Sequence, residues 1–315
     1  MQRFSITPAL SLVWLAASAC RPAPAAKAVA DTAAQQPAPP PAPSKVGEAG
    51  GFSTPESVLW DGDQGVWYVS NINGNPSQKD NNGFISRLTK DGAVDSLHFI
   101  LAGRGGVKLS GPKGMALVGD TLWVADIDAV RGFNKRTGAP IASIELGSKA
   151  HFLNDVAVGP DGSIYITDTG LIFDAKGKPS HPGPDQIFVL AGRKITVAAT
   201  GAWLESPNGI TWDAANSRFV LVPFGGTHLL GWKPGDPKVD TLGTGPGMQD
   251  GVEIWKGNPL ITSWTDSTIF VLENGATRKL ITGQNAPADI GLDPNRGWLA
   301  IPRFLDNKVE FWSLR

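Results

Sequence analysis

Cysteine, surplus charge and helical patterns are all scarce in this chain. Its 315 residues include one cysteine, so a disulfide within the chain is excluded. With 28 Lys and Arg against 29 Asp and Glu the net charge is −1, and the scattered basic residues give no electrostatic footprint for nucleic acid. No helical hydrophobic pattern of useful length follows residue 50. The 38 glycines and 25 prolines indicate instead a domain of strands and tight turns.

The first 19 residues are typical of an export signal. Arg3 supplies positive charge, residues 4–17 are mostly apolar, and residues 17–19 (ASA) form a small-residue cleavage site. The apolar stretch is too short and too interrupted for a membrane span. Cleavage after Ala19 would make Cys20, the sole cysteine, the new first residue.

Two interpretations of Cys20 stay open. One is a free thiol on a soluble periplasmic protein. The other is a lipid anchor, because residues 15–20 (LAASAC) resemble a bacterial lipobox. We favour the anchor, since an unpaired cysteine is unusual in an oxidising compartment. Arg21, where Asp would retain a lipoprotein in the inner membrane, then suggests sorting to the outer membrane on its periplasmic face.

The segment after the signal has the composition of a tether. Residues 21–50 hold ten Ala and seven Pro with almost no large apolar side chain. Such a stretch cannot bury enough surface to fold, and its prolines keep it extended. We therefore predict a signal over residues 1–19, a lipidated, disordered tether over 20–50 and one folded domain over 51–315.

One short phrase occurs six times in the domain, at intervals of 38 to 57 residues. Two and four residues after a fixed anchor position every copy is apolar, and a bulky residue follows ten or eleven positions after the anchor. Alternation with period two, interrupted by a turn, predicts a hairpin in each copy. Repeats of this size predict an all-β, six-bladed β-propeller with four-stranded antiparallel blades. The six anchors are Glu56, Lys113, Asn154, Asn208, Asp250 and Ala288.

The last blade shows only three strands, near 288–292, 297–301 and 308–314. A propeller needs its ring closed, because an open sheet edge would be left unpaired. Residues 44–52 are the candidate for the missing outer strand. Since each inner strand starts at its anchor, the six anchors should meet at one end of the central axis. The two longest insertions, 71–83 and 169–185, should open on that same face, and long polar loops on a rigid scaffold usually bind a ligand.

Four of the six anchors carry side-chain oxygens, two as carboxylates and two as amides. Calcium takes roughly six to eight oxygen ligands, and this set would balance its charge. Zinc is disfavoured, because the domain has no cysteine and no paired-histidine spacing. Magnesium is a second candidate. Asn and Asp are also common at turn starts for structural reasons, but four oxygen donors in one repeat slot favour a cation site.

The anchor phrases resemble those of a known family. Residues 55–61 (PESVLWD), 154–162 (NDVAVGPDG), 207–213 (PNGITWD) and 250–254 (DGVEI) are similar to the calcium-binding phrases of the gluconolactonase, regucalcin (senescence marker protein) and luciferin-regenerating-enzyme family. Diisopropyl-fluorophosphatase and the paraoxonases use a similar Glu, Asn, Asn, Asp set. The resemblance implies that the metal ligands are Glu56, Asn154, Asn208 and Asp250. Residues 111–114 (GPKG) look more like an NHL-type repeat.

The leading hypothesis for function is calcium-dependent hydrolysis of a small-molecule lactone or similar ester. Calcium would polarise the carbonyl and position water, and in lactonases of this type the aspartate ligand is thought to move the proton, which implicates Asp250. Lys113 has two interpretations, binding of a substrate anion or pairing with Asp155 or Glu56. His151, three residues before Asn154, is a further candidate base.

Five residues near the anchor face are candidates for substrate binding: Asn71, His181, His228, Trp264 and Arg303. A non-enzymatic propeller that binds a protein or glycan, with structural calcium, is the alternative function. Hydrolysis of a phosphotriester would use the same metal chemistry, and sequence does not separate it from lactone or aryl ester hydrolysis.

Overall fold

The computed structural model describes residues 41–315. The predictions for the export signal, the lipid anchor on Cys20 and most of the tether lie outside the described residues. The described chain is all-β, with six four-stranded antiparallel sheets, and its helical content is three short 3-10 turns at Gly147–Lys149, Ala202–Leu204 and Phe304–Asp306. The predicted six-bladed propeller is confirmed. Within residues 41–315 no helix has the length and hydrophobicity of a bilayer span.

Each blade is a meander whose strands run in order from the axis outwards. Blade 1 comprises β2 (Pro55–Asp61), β3 (Val66–Asn71), β4 (Phe84–Thr89) and β5 (Val94–Leu101). Blade 2 comprises β6 (Pro112–Val118), β7 (Thr121–Asp126), β8 (Ala129–Asn134) and β9 (Pro140–Glu145). Blade 3 comprises β10 (Leu153–Val158), β11 (Ile164–Asp168), β14 (Gln186–Ala191) and β15 (Lys194–Thr200), with a small hairpin, β12 (Ile172–Phe173) and β13 (Pro179–Ser180), inserted.

Blades 4 to 6 repeat the pattern. Blade 4 comprises β16 (Pro207–Asp213), β17 (Arg218–Pro223), β18 (His228–Trp232) and β19 (Asp240–Thr244). Blade 5 comprises β20 (Gln249–Trp255), β21 (Asn258–Ser263), β22 (Thr268–Glu273) and β23 (Ala276–Thr282). Blade 6 comprises β24 (Gly291–Asp293), β25 (Trp298–Arg303), β26 (Lys308–Ser313) and β1 (Ser44–Gly50). The inner strand of blade 6 is shorter than the predicted 288–292 and starts three residues later.

The ring is closed by β1, which pairs antiparallel with β26 from Ser44↔Ser313 to Gly50↔Lys308. The prediction of a closing strand from residues 44–52 is confirmed. The predicted domain boundary is wrong, because the propeller includes Ser44 and does not start at residue 51. Composition did not reveal this, since the strand gains its stability from the otherwise unpaired edge of β26 and not from its own side chains.

Glu310 on β26 stabilises the pairing of β1 with β26 that closes the ring. It accepts hydrogen bonds from Lys45 of β1 (2.9 Å), Arg303 of β25 (2.7 Å) and Trp312 (3.0 Å). Burial alone would raise the pKa of Glu310, but these donors lower it to about 2. Because the pKa of Glu310 is lower in the folded protein, its ionised carboxylate stabilises the fold fully above pH 4.5, the pKa of the unfolded state. This contribution to stability is lost as the pH falls towards about 2.

We expect Glu310→Gln to lower the free energy of unfolding at pH 7 by roughly 2 kcal/mol, since charge-assisted hydrogen bonds are lost. Urea denaturation at pH 7 and pH 3 would measure it, and the difference from the unsubstituted protein should shrink at pH 3. Glu48→Gln is the matched control: Glu48 also pairs with Lys45 but is 45% exposed, so solvent screens the pair and its loss should change stability much less than the loss of Glu310. Equal effects of the two variants would contradict the role of Glu310.

Large side chains from the repeats fill the spaces between blades. The ring centres of Trp67 (blade 1) and Phe311 (blade 6) are 5.5 Å apart, and those of Tyr165 (blade 3) and Phe219 (blade 4) are 4.6 Å apart. Trp67 and Phe219 are fully buried. Burial of each such ring contributes roughly 1.5–3 kcal/mol relative to exposure. The bulky residue of the repeat therefore joins neighbouring blades and makes the scaffold rigid.

Five of the six inner strands share the same irregularity at the anchor. In blade 1, Pro55 pairs with Asn71 and the next regular pair is Val58 with Val69, so two residues oppose one. The same shift occurs at Pro112/Met115, Leu153/Val156, Pro207/Ile210 and Gln249/Val252. Such a β-bulge redirects side chains and is common beside functional sites. It releases each anchor residue from the regular ladder at the end of the central axis.

Hydroxyl groups from the second strands stabilise the bulge in alternate blades. The amide after the anchor donates to Ser70 Oγ in blade 1 (2.9 Å), to Thr167 Oγ1 in blade 3 (2.9 Å) and to Thr262 Oγ1 in blade 5 (2.7 Å). These bonds replace the backbone bond that the bulge removes. They also fix the backbone next to Glu56, Asn154 and Asp250.

The two long insertions open on the anchor face and contact each other. Because Asn71 pairs with Pro55, the second strand ends beside the start of the first, and the chain from 72 to 83 leaves from that end. Asn75 Nδ2 donates to the carbonyl of Asp174 (2.8 Å), and the amide of Phe173 donates to Ser77 Oγ (2.9 Å). The β12–β13 hairpin was not predicted, and it brings these insertions together above blade 2.

Candidate metal centre

The four predicted metal ligands occupy the bulges of blades 1, 3, 4 and 5. Glu56 is 5% exposed, and Asn154, Asn208 and Asp250 are each 4% exposed. Their strands pack directly on one another around the axis. In one such contact Asp289, which follows the anchor Ala288, donates its amide to the carbonyl of Glu56 (2.8 Å), so blades 6 and 1 meet at the level of the anchors.

Three side-chain oxygens of this set lack a hydrogen-bond donor among the described residues. They are Glu56 Oε2, Asn208 Oδ1 and Asp250 Oδ1, and all three are sealed from solvent. A buried oxygen without a partner costs roughly 1–3 kcal/mol, so each one calls for a missing partner. Oxygen atoms of this kind are the ligands that hard cations take in proteins.

The fourth candidate ligand is oriented by a threonine. Asn154 Nδ2 donates to Thr169 Oγ1 (3.0 Å), and the hydroxyl of Thr169 donates to the carbonyl of Pro207 (2.9 Å). Because the amide nitrogen is used in this way, the amide oxygen of Asn154 is the atom left for a ligand. The same chain of bonds couples blade 3 to blade 4 beside Asn208.

The charges around the anchors repel one another. Burial, followed by the charges of Asp250 and Asp289, raises the pKa of Glu56 well above its ordinary value. Burial and Asp289 likewise raise the pKa of Asp250, while the nearby indole N–H of Trp264 opposes the rise without forming a hydrogen bond of normal geometry. Burial also raises the pKa of Asp289 to about 7. A bound cation would relieve this repulsion.

The residues present therefore fit a divalent cation held mainly by oxygen. Among the residues that the structure describes, no group of three or more His, Cys, Asp or Glu has metal-binding geometry. The candidate set instead combines two carboxylates with two amides, and it lacks the sulfur and imidazole ligands that zinc prefers. Calcium and magnesium are the ions suited to such oxygen atoms.

Lys113 holds the anchor position of blade 2 and is 1% exposed. Its Nζ donates to the carbonyl of Gly111 (3.1 Å) and lies 4.1 Å from the centre of the Phe152 ring. Its one side-chain hydrogen bond within the described chain is the bond to Gly111, so it forms no direct ion pair with Glu56 or Asp155 there. Burial lowers the pKa of Lys113 to about 8, against the attraction of Glu56. Its charge therefore acts on the ligand set through space.

Trp264 lies at the edge of this centre, and His151 precedes the candidate ligand Asn154 by three residues. Trp264 stands beside Asp250, and its ring packs between Phe224 (5.8 Å) and Phe304 (5.2 Å). His151 has a buried Nδ1 without a partner, and its amide donates to Asp168. The roles predicted for both side chains stay predictions.

Asn71 and Arg303, both predicted to bind substrate, make hydrogen bonds within the fold, although Arg303 Nε has no partner among the described residues. Asn71 is fully buried and accepts from the amide of Ser53 (3.1 Å), while its Nδ2 donates to Val69 and Ser86. Arg303 bonds to Glu310 (2.7 Å) and pairs with Asp306.

The remaining two predicted residues each form a histidine–carboxylate pair. His181 Nε2 lies 2.8 Å from Asp185 Oδ1, and His228 Nδ1 lies 2.7 Å from Glu205 Oε1. Glu205 was not singled out from the sequence. A carboxylate three residues before the Asn208 anchor was the available signal, but its pairing with a histidine 23 residues later depends on the fold.

The protein is a six-bladed β-propeller with buried oxygen-bearing side chains at one end of its axis. Its family is shown by a direct match of the sequence to a family model. The chain belongs to the SMP-30/gluconolactonase/LRE-like family, whose model matches residues 54–222, more than half of the chain. The matched segment includes Glu56, Asn154 and Asn208 and ends before Asp250. No curated protein matches this sequence.

Solved structures share the architecture. A gluconolactonase from Xanthomonas campestris is 17% identical, with 88% of this chain and 95% of that chain covered and a TM-score of 0.64. A luciferin-regenerating enzyme is 13% identical over 86% and 94% of the two chains, with a TM-score of 0.63. Virginiamycin B lyase from Staphylococcus aureus is 13% identical over 85% and 99%, with a TM-score of 0.58. At these identities the similarity establishes the fold alone.

Proposed function

We propose that the protein is a calcium-dependent hydrolase of a lactone or a related ester. The observation that carries the proposal is the set of three buried, partnerless oxygens on Glu56, Asn208 and Asp250. They belong to the inner strands of three different blades, and the carboxylates of Glu56 and Asp250 are close enough to repel each other. A cation bound between these strands would supply the missing partners. Membership of a family whose description names gluconolactonase supports the reaction class.

Glu56, Asn154, Asn208 and Asp250 would hold the ion. Two carboxylates and two neutral amides match its charge, and they leave coordination positions for water and substrate, since calcium takes roughly six to eight oxygens. When bound, calcium supplies Lewis-acid polarisation of a carbonyl oxygen and positions a water molecule.

Asp250 is the residue best placed to accept the proton of the attacking water. Its Oδ1 is buried and accepts no hydrogen bond from the described residues, so no protein donor competes for this carboxylate oxygen. The Trp264 ring, packed between two phenylalanines, would limit the entry of bulk water on this side.

A substrate panel tests the proposal. Aldonolactones, acyl lactones, aryl esters and phosphotriesters would be offered to the protein with calcium and with a chelator. We expect turnover of a lactone or a carboxylic ester that falls to background with chelator and returns when calcium is added back. Activity on phosphotriesters alone would assign a different reaction, and activity on none of the panel would favour the non-enzymatic binding propeller.

The chain also carries an N-terminal pattern of export and lipid attachment, and we propose that the enzyme acts at the periplasmic face of the outer membrane. Residues 15–20 are the basis of this proposal. Mass spectrometry of the mature protein tests it, because a free thiol on Cys20 would contradict the lipid anchor.

A further inference from the structure

A histidine–carboxylate pair, His228 with Glu205, belongs to the same blade as the candidate metal ligand Asn208. Glu205 comes three residues before Asn208, and His228 begins β18 in the same blade. The carbonyl of His228 accepts a hydrogen bond from Gln249 Nε2 (3.4 Å), and Gln249 directly precedes Asp250. His228 is therefore hydrogen-bonded to the residue before Asp250 in blade 5, while Glu205 lies three residues before Asn208 in blade 4.

The backbone at Glu205 adopts an unfavourable conformation that directs its carboxylate towards His228. Glu205 and Ser206 have φ values of 55° and 60°, so two successive residues that are not glycine adopt the left-handed conformation. Such a conformation is unfavourable for residues other than glycine and persists only where the surrounding structure holds it, often at functional sites. The conformation is held by hydrogen bonds from the amides of Phe224 and Gly225 to the carbonyls of Ser206 and Glu205 (2.9 and 3.1 Å).

A glycine makes room for this carboxylate. A Cβ on Gly226 would overlap Glu205 Oε2, so a larger residue could not stand there without moving the glutamate. Oε2 is sealed from solvent and has no donor among the described residues, while Oε1 accepts from His228 Nδ1 at 2.7 Å. The imidazole of His228 is therefore the hydrogen-bond partner of the Glu205 carboxylate in the described chain.

The two nitrogens of His228 consequently have different tasks. Nδ1 is bound to Glu205, whereas Nε2 has no protein partner, and the side chain is 46% exposed on the anchor face. A carboxylate bound to one ring nitrogen fixes the orientation of the imidazole. Nε2 is then the ring nitrogen available to transfer a proton to a bound substrate.

We propose that His228, oriented by Glu205, is the general acid that protonates the leaving alkoxide oxygen of the substrate. The inference rests on the proposed ester hydrolysis. Water attacks the carbonyl carbon and its proton goes to Asp250. The C–O bond to the leaving group then breaks, the electron pair stays on that oxygen, and the Nε2 proton of His228 moves to it. Exchange with solvent returns the proton from Asp250 to the imidazole. His228 is a catalytic residue in this scheme, and Glu205 is a positioning residue.

The dependence on the leaving group tests this assignment. An alkyl lactone releases a strongly basic alkoxide that needs a proton, whereas an aryl ester releases a phenolate that does not. We expect His228→Asn, whose amide can still donate to Glu205, to lower kcat for an alkyl lactone by about 10²-fold and for an aryl ester by about threefold or less. Glu205→Gln should lower kcat for the lactone by roughly tenfold and should spare the aryl ester in the same way.

His98→Asn is the matched control. His98 packs against Phe84 on the outer part of blade 1, far from the anchors in the blade, and its replacement should leave both substrates unaffected. Equal losses on both substrates, or no loss on the lactone, would overturn the role of His228 and leave the proposed hydrolase intact. If the unsubstituted protein with calcium hydrolyses neither substrate, the proposed function and this inference both fail.

Discussion

Replacing Asp250 with asparagine should lower kcat/KM for the hydrolysed lactone or ester by about 10³-fold or more while leaving the protein folded. Asparagine keeps the shape of the side chain but removes both the negative charge and the capacity to accept a proton. The loss should appear mainly in kcat, because the proton transfer occurs in the transition state. Steady-state kinetics at saturating calcium would measure it.

The same variant should not lose stability in the absence of calcium. Burial and Asp289 raise the pKa of Asp250, so in the metal-free protein the carboxylate is held in an unfavourable environment. Neutral asparagine removes that repulsion, and thermal unfolding in chelator should therefore occur at the same or a higher temperature. Asp240→Asn is the control, because Asp240 lies exposed on the outer strand of blade 4. A large fall in stability of Asp250→Asn, or full activity, would contradict the role given to Asp250.

Replacing Gly291 with alanine should lower the free energy of unfolding by about 3 kcal/mol or more, since the added methyl group has no space. A Cβ at Gly291 would overlap the carbonyl oxygen of Val58, at the point where the inner strands of blades 6 and 1 meet. The backbone of Gly291 is not in the left-handed region, so the steric clash is the only cause of the effect.

Urea denaturation would measure the effect of Gly291→Ala. Gly47→Ala is a suitable control, because Gly47 lies in the closing strand and a Cβ there meets nothing within 4 Å. The control should change stability by about 0.5 kcal/mol or less. Similar stability of the two variants would show that the inner strands are not packed as tightly around the axis as described.

Repeated local signals explain why the propeller could be predicted. Period-two alternation and the hairpin turn are properties of short segments, and the interval between anchors sets the size of a blade. Other features depend on register and could not be seen. Ser70, Thr167 and Thr262 look like ordinary strand residues in the sequence. Only their position opposite the bulge allows their hydroxyl oxygens to accept hydrogen bonds from the backbone amides that follow the anchors.

The candidate site divides in the same way. The fixed slot of the repeat predicted that Glu56, Asn154, Asn208 and Asp250 hold equivalent positions, and the structure places all four in equivalent bulges. Their role as ligands stays a prediction. The hydrogen bond from Asn154 to Thr169, which comes from the insertion after β11, and the pairing of Glu205 with His228 are long-range contacts without a local pattern. The direct ion pair considered for Lys113 is absent in the described chain, because its Nζ turns to the Gly111 carbonyl and the Phe152 ring.

Calorimetric titration of metal-free protein with calcium tests the central claim most directly. The account predicts binding of a single calcium ion to the unsubstituted protein, strongly weakened binding by Asp250→Asn, and unchanged binding by Asp240→Asn. Absence of calcium binding to the unsubstituted protein, or equal affinity in Asp250→Asn, would contradict a cation held by oxygens from separate blades.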